Sequence, residues 1–200
     1  MSGPTAVPAG SGEGADPRAG TLVCVGGAPG AGKTTVGALV AAAAGLCLVD
    51  LDSVTTPLVE AFAASLGTVA DLDAPQFAAL RAARYACLGE VVADNLRAGR
   101  GVVAVAPFSS EAADAMAWRA DALARGAARA VLVWLDVDPG EAAARAAARG
   151  LPRDLAKAGR EGGVGGDGTA SRLVDRAGID LVLDGSSDAQ AAAAAVVALV

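Results

Sequence analysis

The run Gly27, Ala28, Pro29, Gly30, Ala31, Gly32, Lys33, Thr34 and Thr35 holds three glycines and one of the chain's only two lysines. Gly27, four residues, Gly32, Lys33 and Thr34 form the pattern of a phosphate-cradling loop, and its context is the required one: an apolar run, TLVCVG, before it and an alanine-rich run, VGALVAAA, after it. Glycines allow successive amide N–H groups to turn inward onto phosphate oxygens, and a helix N-terminus behind them adds partial positive charge. Lys33 would reach the β and γ phosphates of a nucleoside triphosphate, and the Thr34 hydroxyl would ligate Mg²⁺. The plain alternative is a glycine turn. With this chain's own Gly, Lys and Ser/Thr frequencies, the pattern would arise by accident roughly three times in a thousand.

Histidine is absent, so imidazole serves neither as general base nor as metal ligand. Acid–base chemistry falls to carboxylates. Asp50 and Asp52 in LCLVDLDSVTTPL end a second apolar run, and a strand's period of two would point both to one face at its carboxyl end. In an open parallel sheet that end is the ligand side. The competing reading makes them solvated acids of a turn. Asp136 and Asp138, after a fourth apolar run, read mainly as loop acids.

Five apolar runs would position these groups: Thr21 to Gly26, Leu46 to Leu51, Gly101 to Ala106, Ala130 to Leu135 and Asp180 to Leu183. They alternate with helical stretches, the pattern of βα units and a parallel sheet covered on both faces. Between the second and third lies an amphipathic helix on which Phe77, Leu80, Leu88, Val91 and Leu96 approximate one face, with Gly99 as its stop. It also carries Arg81, Arg84 and Tyr85. The last segment, SDAQAAAAAVVALV, reads as a helix capped by Ser187 or Asp188. Residues 1 to 20, rich in Pro, Gly, Ala and Ser, read as a disordered arm without a secretory signal. A glycine-dense stretch from Ala158 to Ser171 reads as the mobile segment.

The 200 residues suit one domain of ordinary core size. A net charge of −6 offers no basic stripe for nucleic acid. Alanine supplies much of the 54 % apolar content, and no stretch has the bulk of a membrane span, so no membrane partner is expected. Cys24, Cys47 and Cys87 lack CxxC spacing and lie in apolar segments, which reads as reduced, buried thiols and a cytoplasmic setting.

The segments GGAPGAGKTT, VDLDSVTTPL, VVAVAPFSS and ARGLPRDLAK, in that order, resemble the small P-loop kinases, over about residues 21 to 200. That group includes shikimate kinase, gluconate kinase, chloramphenicol phosphotransferase, adenylylsulfate kinase and many bacterial AAA-type kinases. The resemblance implies a five-stranded parallel sheet in the order 2-3-1-4-5, ATP with Mg²⁺, a hydroxyl-bearing small molecule as acceptor, and a monomer or homodimer. It implies Asp50 as the metal-side acid, since VVAVAPF lacks the usual terminal aspartate, and Asp52 as the group that orients the acceptor hydroxyl and takes its proton. It places Arg81, Arg84 and Tyr85 on the helix facing the acceptor, and Phe108 with Pro107, Ser109 and Ser110 along the cleft, unless APF is simply a strand end with a helix cap. It makes residues 145 to 171 a lid, with Arg149 and then Arg153 closing over ATP. Surface arginines on a solvated helix are the alternative. A nucleotide-dependent ATPase or switch acting on a protein partner is the rival function.

Overall fold

The computed structural model of the chain describes residues 16–72, 74–149 and 178–200. In chain order the elements are β1 (Thr21–Gly27), α1 (Lys33–Ala44), β2 (Cys47–Asp50), α2 (Leu51–Ser65), a short 3₁₀ turn (Pro75–Phe77), α3 (Ala78–Arg97), β3 (Val102–Val105), α4 (Ser109–Ala113), α5 (Ala115–Ala124), β4 (Arg129–Asp136), α6 (Pro139–Arg149), β5 (Leu181–Asp184) and α7 (Ala189–Val197). All pairings are parallel, and the strand order is 2-3-1-4-5. That is the order the sequence resemblance implies.

Between their polar ends the strands are continuously apolar because both faces are covered. Alternate residues of β1, β3 and β4 sort into two cores. Leu22, Cys24, Val102, Ala104, Leu132 and Trp134 face one core, closed by α3, α4 and α5 through Leu88, Val92, Leu96, Ala112 and Ala122. Val23, Val25, Val103, Val105, Val131 and Val133 face the other, closed by α1 and α7 through Val36, Val40, Ala193 and Val196. Each large apolar side chain so enclosed contributes about 1.5–3 kcal/mol. The central strand thereby holds the 27–35 loop on a rigid base.

Two expectations are corrected here. The second strand stops at Asp50 rather than Leu51, because the Asp50 carboxylate caps α2: its Oδ1 accepts from the backbone N–H groups of Asp52 at 2.8 Å and Ser53 at 3.3 Å. Asp52 therefore stands in the first turn of a helix, and the strand's period of two does not relate it to Asp50. Of the thiols, Cys24 is buried as expected, whereas Cys47 is half-buried and Cys87 exposed on α3; none of the three is paired with another.

The final helix is capped by Asp188, which accepts from Gln190 and Ala191 N–H groups. The supposed arm falls partly on described residues: 17–20 form a turn, with Thr21 N–H donating to the Arg18 carbonyl and Ala128 N–H to that of Gly20. Residues 1–15 lie outside the described residues. So do Arg153, Lys157 and the glycine-dense stretch. No described helix is long and apolar enough to cross a membrane.

Candidate active site

The loop leaves β1 at Gly27 and enters α1 at Lys33. Gly30 has φ +85, and a Cβ there would stand 2.3 Å from the Ala142 carbonyl oxygen of α6, so only glycine fits. Gly32 caps α1 without a side chain. The first-turn N–H groups of α1 therefore keep no side-chain cap and face whatever the loop encloses. Lys33 Nζ donates to the Ala28 carbonyl at 2.7 Å, folded over the loop it would serve. Thr35 follows Thr34 in the first turn, and Pro29 and Ala31 complete the curve, Ala31 buried beneath it.

The Thr34 hydroxyl donates to Asp50 Oδ2 at 2.9 Å, joining α1 to the end of β2. Asp50 is only 8 % exposed, with Oδ1 engaged by the α2 backbone. Two hard oxygen ligands thus adjoin the loop, a donor set that fits Mg²⁺ completed by phosphate oxygens and water. No group of three His, Cys, Asp or Glu able to hold a metal occurs among the described residues.

Next to Asp50, Asp52 Oδ1 accepts from Arg84 Nη2 of α3 at 2.6 Å. Arg84 Nε donates to Thr55 Oγ1 at 2.7 Å, and that hydroxyl donates to the Leu51 carbonyl at 2.6 Å. Arg84 is 9 % exposed, a buried cation on the face of α3 that the sequence pattern assigns to apolar residues. The Asp52 side chain keeps 47 % of its surface open. Arg81 turns elsewhere, donating to the Leu72 carbonyl.

Tyr85 lies one residue on from Arg84. Its hydroxyl accepts from the Phe108 N–H at 3.3 Å, and the two rings meet edge to face at 6.2 Å. Phe108 is both the N-cap of α4 and a buried wall residue, at φ +50, a left-handed conformation that costs a non-glycine residue about 1 kcal/mol or more. Burial first, then the charge of Glu111, push the Tyr85 phenol up to about 12; the Phe108 N–H and Arg84 oppose the rise, and Asp52 adds the smallest push. Burial likewise raises the Glu111 carboxyl and the Cys24 thiol.

Arg149 is the last residue of α6. Arg145, one turn earlier, pairs with Glu141 and donates to the Gly185 carbonyl at 2.7 Å. Asp138 is a loop acid that caps α6, accepting from Gly140 and Glu141 N–H groups. Sequence reasoning passed over Thr55, Glu111 and Gly185. A Cβ on Gly185 would lie 2.8 Å from the Ala31 carbonyl oxygen, so the β5–α7 turn sits directly against the phosphate loop. A cavity of about 350 Å³ beside it is lined by Asp136, Asp138 and Asp184 among others. The Ser186 hydroxyl and N–H hold the Asp184 carboxyl below the usual range, and three carboxyl groups there disfavour phosphate.

The family model described as an AAA domain matches residues 22–161. No curated protein matches the sequence. Among solved structures, the Mycobacterium tuberculosis APS kinase in complex with AMPPNP and APS is similar at 21 % identity, TM-score 0.63, covering 92 % of this chain and 98 % of that one. A sugar kinase from Janibacter sp. matches at 19 % identity, TM-score 0.58, over 89 % and 92 % of the two chains. A gluconokinase from Sinorhizobium meliloti matches at 19 %, TM-score 0.55, over 91 % and 96 %. The fold is that of the small P-loop kinases.

Proposed function

The chain belongs to the AAA domain family, and from that premise we propose that it is an ATP-dependent kinase that transfers the γ-phosphoryl group to a hydroxyl of a small molecule. The observation that carries the reading is the junction of three parts: the loop with Lys33, the Thr34–Asp50 contact at 2.9 Å, and Asp52 held by Arg84 on the adjoining helix turn. The first two suit a triphosphate and its metal. The third suits a hydroxyl brought up to the terminal phosphate.

The loop N–H groups and Lys33 bind and orient the β and γ phosphates, Lys33 leaving the Ala28 carbonyl to do so. Thr34 Oγ1 and Asp50 Oδ2 would hold Mg²⁺, which when bound neutralises charge on the phosphate oxygens. Asp52 orients the acceptor hydroxyl and accepts its proton as the bond to phosphorus forms. Because the transition state is loose, the orientation that Arg84 imposes on Asp52 matters more than proton removal. Arg149 and Arg153 are the lid arginines of this proposal and add charge over the transferred group.

The test is ATP turnover with and without a panel of sugars, cyclitols, nucleosides and aminoglycosides. Stimulation by one acceptor, with its phosphorylated product seen by mass spectrometry, supports a kinase. A constant slow hydrolysis in every case favours the second reading, an ATPase or switch with a protein partner. One observation speaks for that reading: Leu58, Phe62, Leu66 and Val69 stand 43–70 % exposed along and beyond the end of α2.

A further inference from the structure

Thr55 puts a hydroxyl on the buried face of α2, the face it shares with Leu51, Val59 and Ala63. It is 3 % exposed. Its proton is committed, because Oγ1 donates to the Leu51 carbonyl one turn back at 2.6 Å. A hydroxyl so engaged can only accept from its other neighbours, and the group that reaches it is Arg84 Nε–H, at 2.7 Å.

The second N–H on that edge of the guanidinium, at Nη2, meets Asp52 Oδ1 at 2.6 Å. Nε and Nη2 are fixed in one plane, so a bond at the first sets the direction of the second. The chain of bonds from the Leu51 carbonyl through Thr55 and Arg84 to Asp52 therefore begins and ends on adjacent residues of one helical turn. Arg84 comes to that turn from α3, across 29 residues of sequence from Thr55 and 32 from Asp52, and is clamped at two points when it arrives. Thr55 is neutral and adds no charge to the set. What it adds is direction.

Resting on the kinase reading above, we propose that Thr55 is a positioning residue for phosphoryl transfer: acting through Arg84, its hydroxyl fixes the angle at which Asp52 meets the acceptor hydroxyl. A reacting group turned away from its line of approach costs rate more than affinity. The plain alternative is packing, in which the methyl of Thr55 fills the helix interface and the hydroxyl has no part in turnover.

Two substitutions separate the hydroxyl from the shape. Thr55→Val keeps the branched shape and loses the hydroxyl, whereas Thr55→Ser keeps the hydroxyl and loses the methyl. With folding checked by thermal melting, ATP affinity, acceptor KM and acceptor-dependent kcat are measured with the panel sugar, cyclitol, nucleoside or aminoglycoside that most stimulates the wild type. Thr55→Val should lower kcat by roughly tenfold or more, with acceptor KM and ATP affinity within about twofold. Thr55→Ser should stay within about threefold of the wild type in kcat. Added to Asp52→Asn, Thr55→Val should cost less than about threefold further, because both act through one side chain. If Thr55→Val does not fold, Arg84→Lys decides, since it keeps the charge and loses the planar edge, and its kcat should fall likewise.

The positioning role is overturned, and the kinase left standing, by a Thr55→Val or Arg84→Lys enzyme that keeps its kcat. A Thr55→Ser enzyme that falls as far as Thr55→Val does the same, as does a Thr55→Val effect that persists in full on Asp52→Asn. If no member of the panel raises ATP turnover by the wild type, the kinase reading falls and the positioning role falls with it.

Discussion

The loop from Gly27 to Thr35 is built almost wholly of main chain, whereas the wall made by α2, α3 and α4 is built of side chains that meet across 23 to 32 residues of sequence. The two lie side by side and share a boundary at Asp50, whose one oxygen faces Thr34 and whose other caps α2. Main-chain recognition needs residue types that permit a shape, and phosphate is the same in every nucleotide. Side-chain recognition needs particular partners, and acceptors differ. A kinase fold can therefore keep the first half and rebuild the second.

The largest effect expected is on the loop. Lys33→Ala removes the charge that follows the γ phosphate into the transition state, and kcat should fall by roughly a thousandfold or more. Thermal melting should shift little, because Lys33 is only half-buried and its Nζ donates to a loop carbonyl, that of Ala28. Near-normal turnover in a folded Lys33→Ala protein would break the assignment of the loop.

Asp52→Asn should cut acceptor-dependent turnover by roughly a hundredfold while leaving ATP and Mg²⁺ affinity in place. Asp50→Asn should do the reverse, raising the Mg²⁺ requirement, because Oδ2 adjoins the Thr34 hydroxyl. Separate titrations of ATP, Mg²⁺ and acceptor distinguish them. If Asp52→Asn lost ATP affinity and kept its acceptor-dependent kcat, the boundary between the two halves would be misplaced.

Arg84→Ala tests whether the wall is held by pairing. It leaves the Asp52 carboxylate and the Thr55 hydroxyl without a shared donor and empties the space between α2 and α3. A loss of about 2 kcal/mol in denaturant unfolding is expected, moderated because Asp52 is half open to water. ATP affinity should hold. A fall in ATP affinity as large as the fall in acceptor turnover would show that the halves are not separable.

The same contrast explains what the sequence discloses. The strand segments, the loop and the Asp188 cap follow from local patterns, namely continuous apolar runs, glycines beside a lysine and an aspartate before a helix, whereas the strand order came with the family resemblance. Asp52 was expected on a strand because VDLD alternates, yet the carboxylate of Asp50 starts α2 one residue earlier. Pro57 lies inside α2, where a proline ordinarily signals a break. Arg84 sits at a helix position that periodicity reserves for apolar residues, and nothing near it in sequence reveals that Asp52 and Thr55 receive its charge. The left-handed Phe108 has no glycine or asparagine to announce it. Contacts between distant side chains leave no local trace.

The smallest effect gives the closest view of the wall. Tyr85 is the chain's only tyrosine, so phenolate absorbance near 295 nm reports it alone. In the folded protein its midpoint should stand near 12, against the ordinary 10.0, chiefly through burial. The unfolded chain would then lose this proton first as pH rises, so the stability owed to a neutral Tyr85 is intact below about 10 and lost toward 12. Tyr85→Phe should flatten that slope of stability against pH, at the cost of the bond to the Phe108 N–H, about 1 kcal/mol. Glu111→Gln should lower the folded midpoint, because the Glu111 charge is the second cause of the rise. A native midpoint at 10, unmoved by Glu111→Gln, would mean that Tyr85 is open to water and beyond the field of Glu111, and the enclosed wall that Tyr85 shares with Phe108 would have to be redrawn.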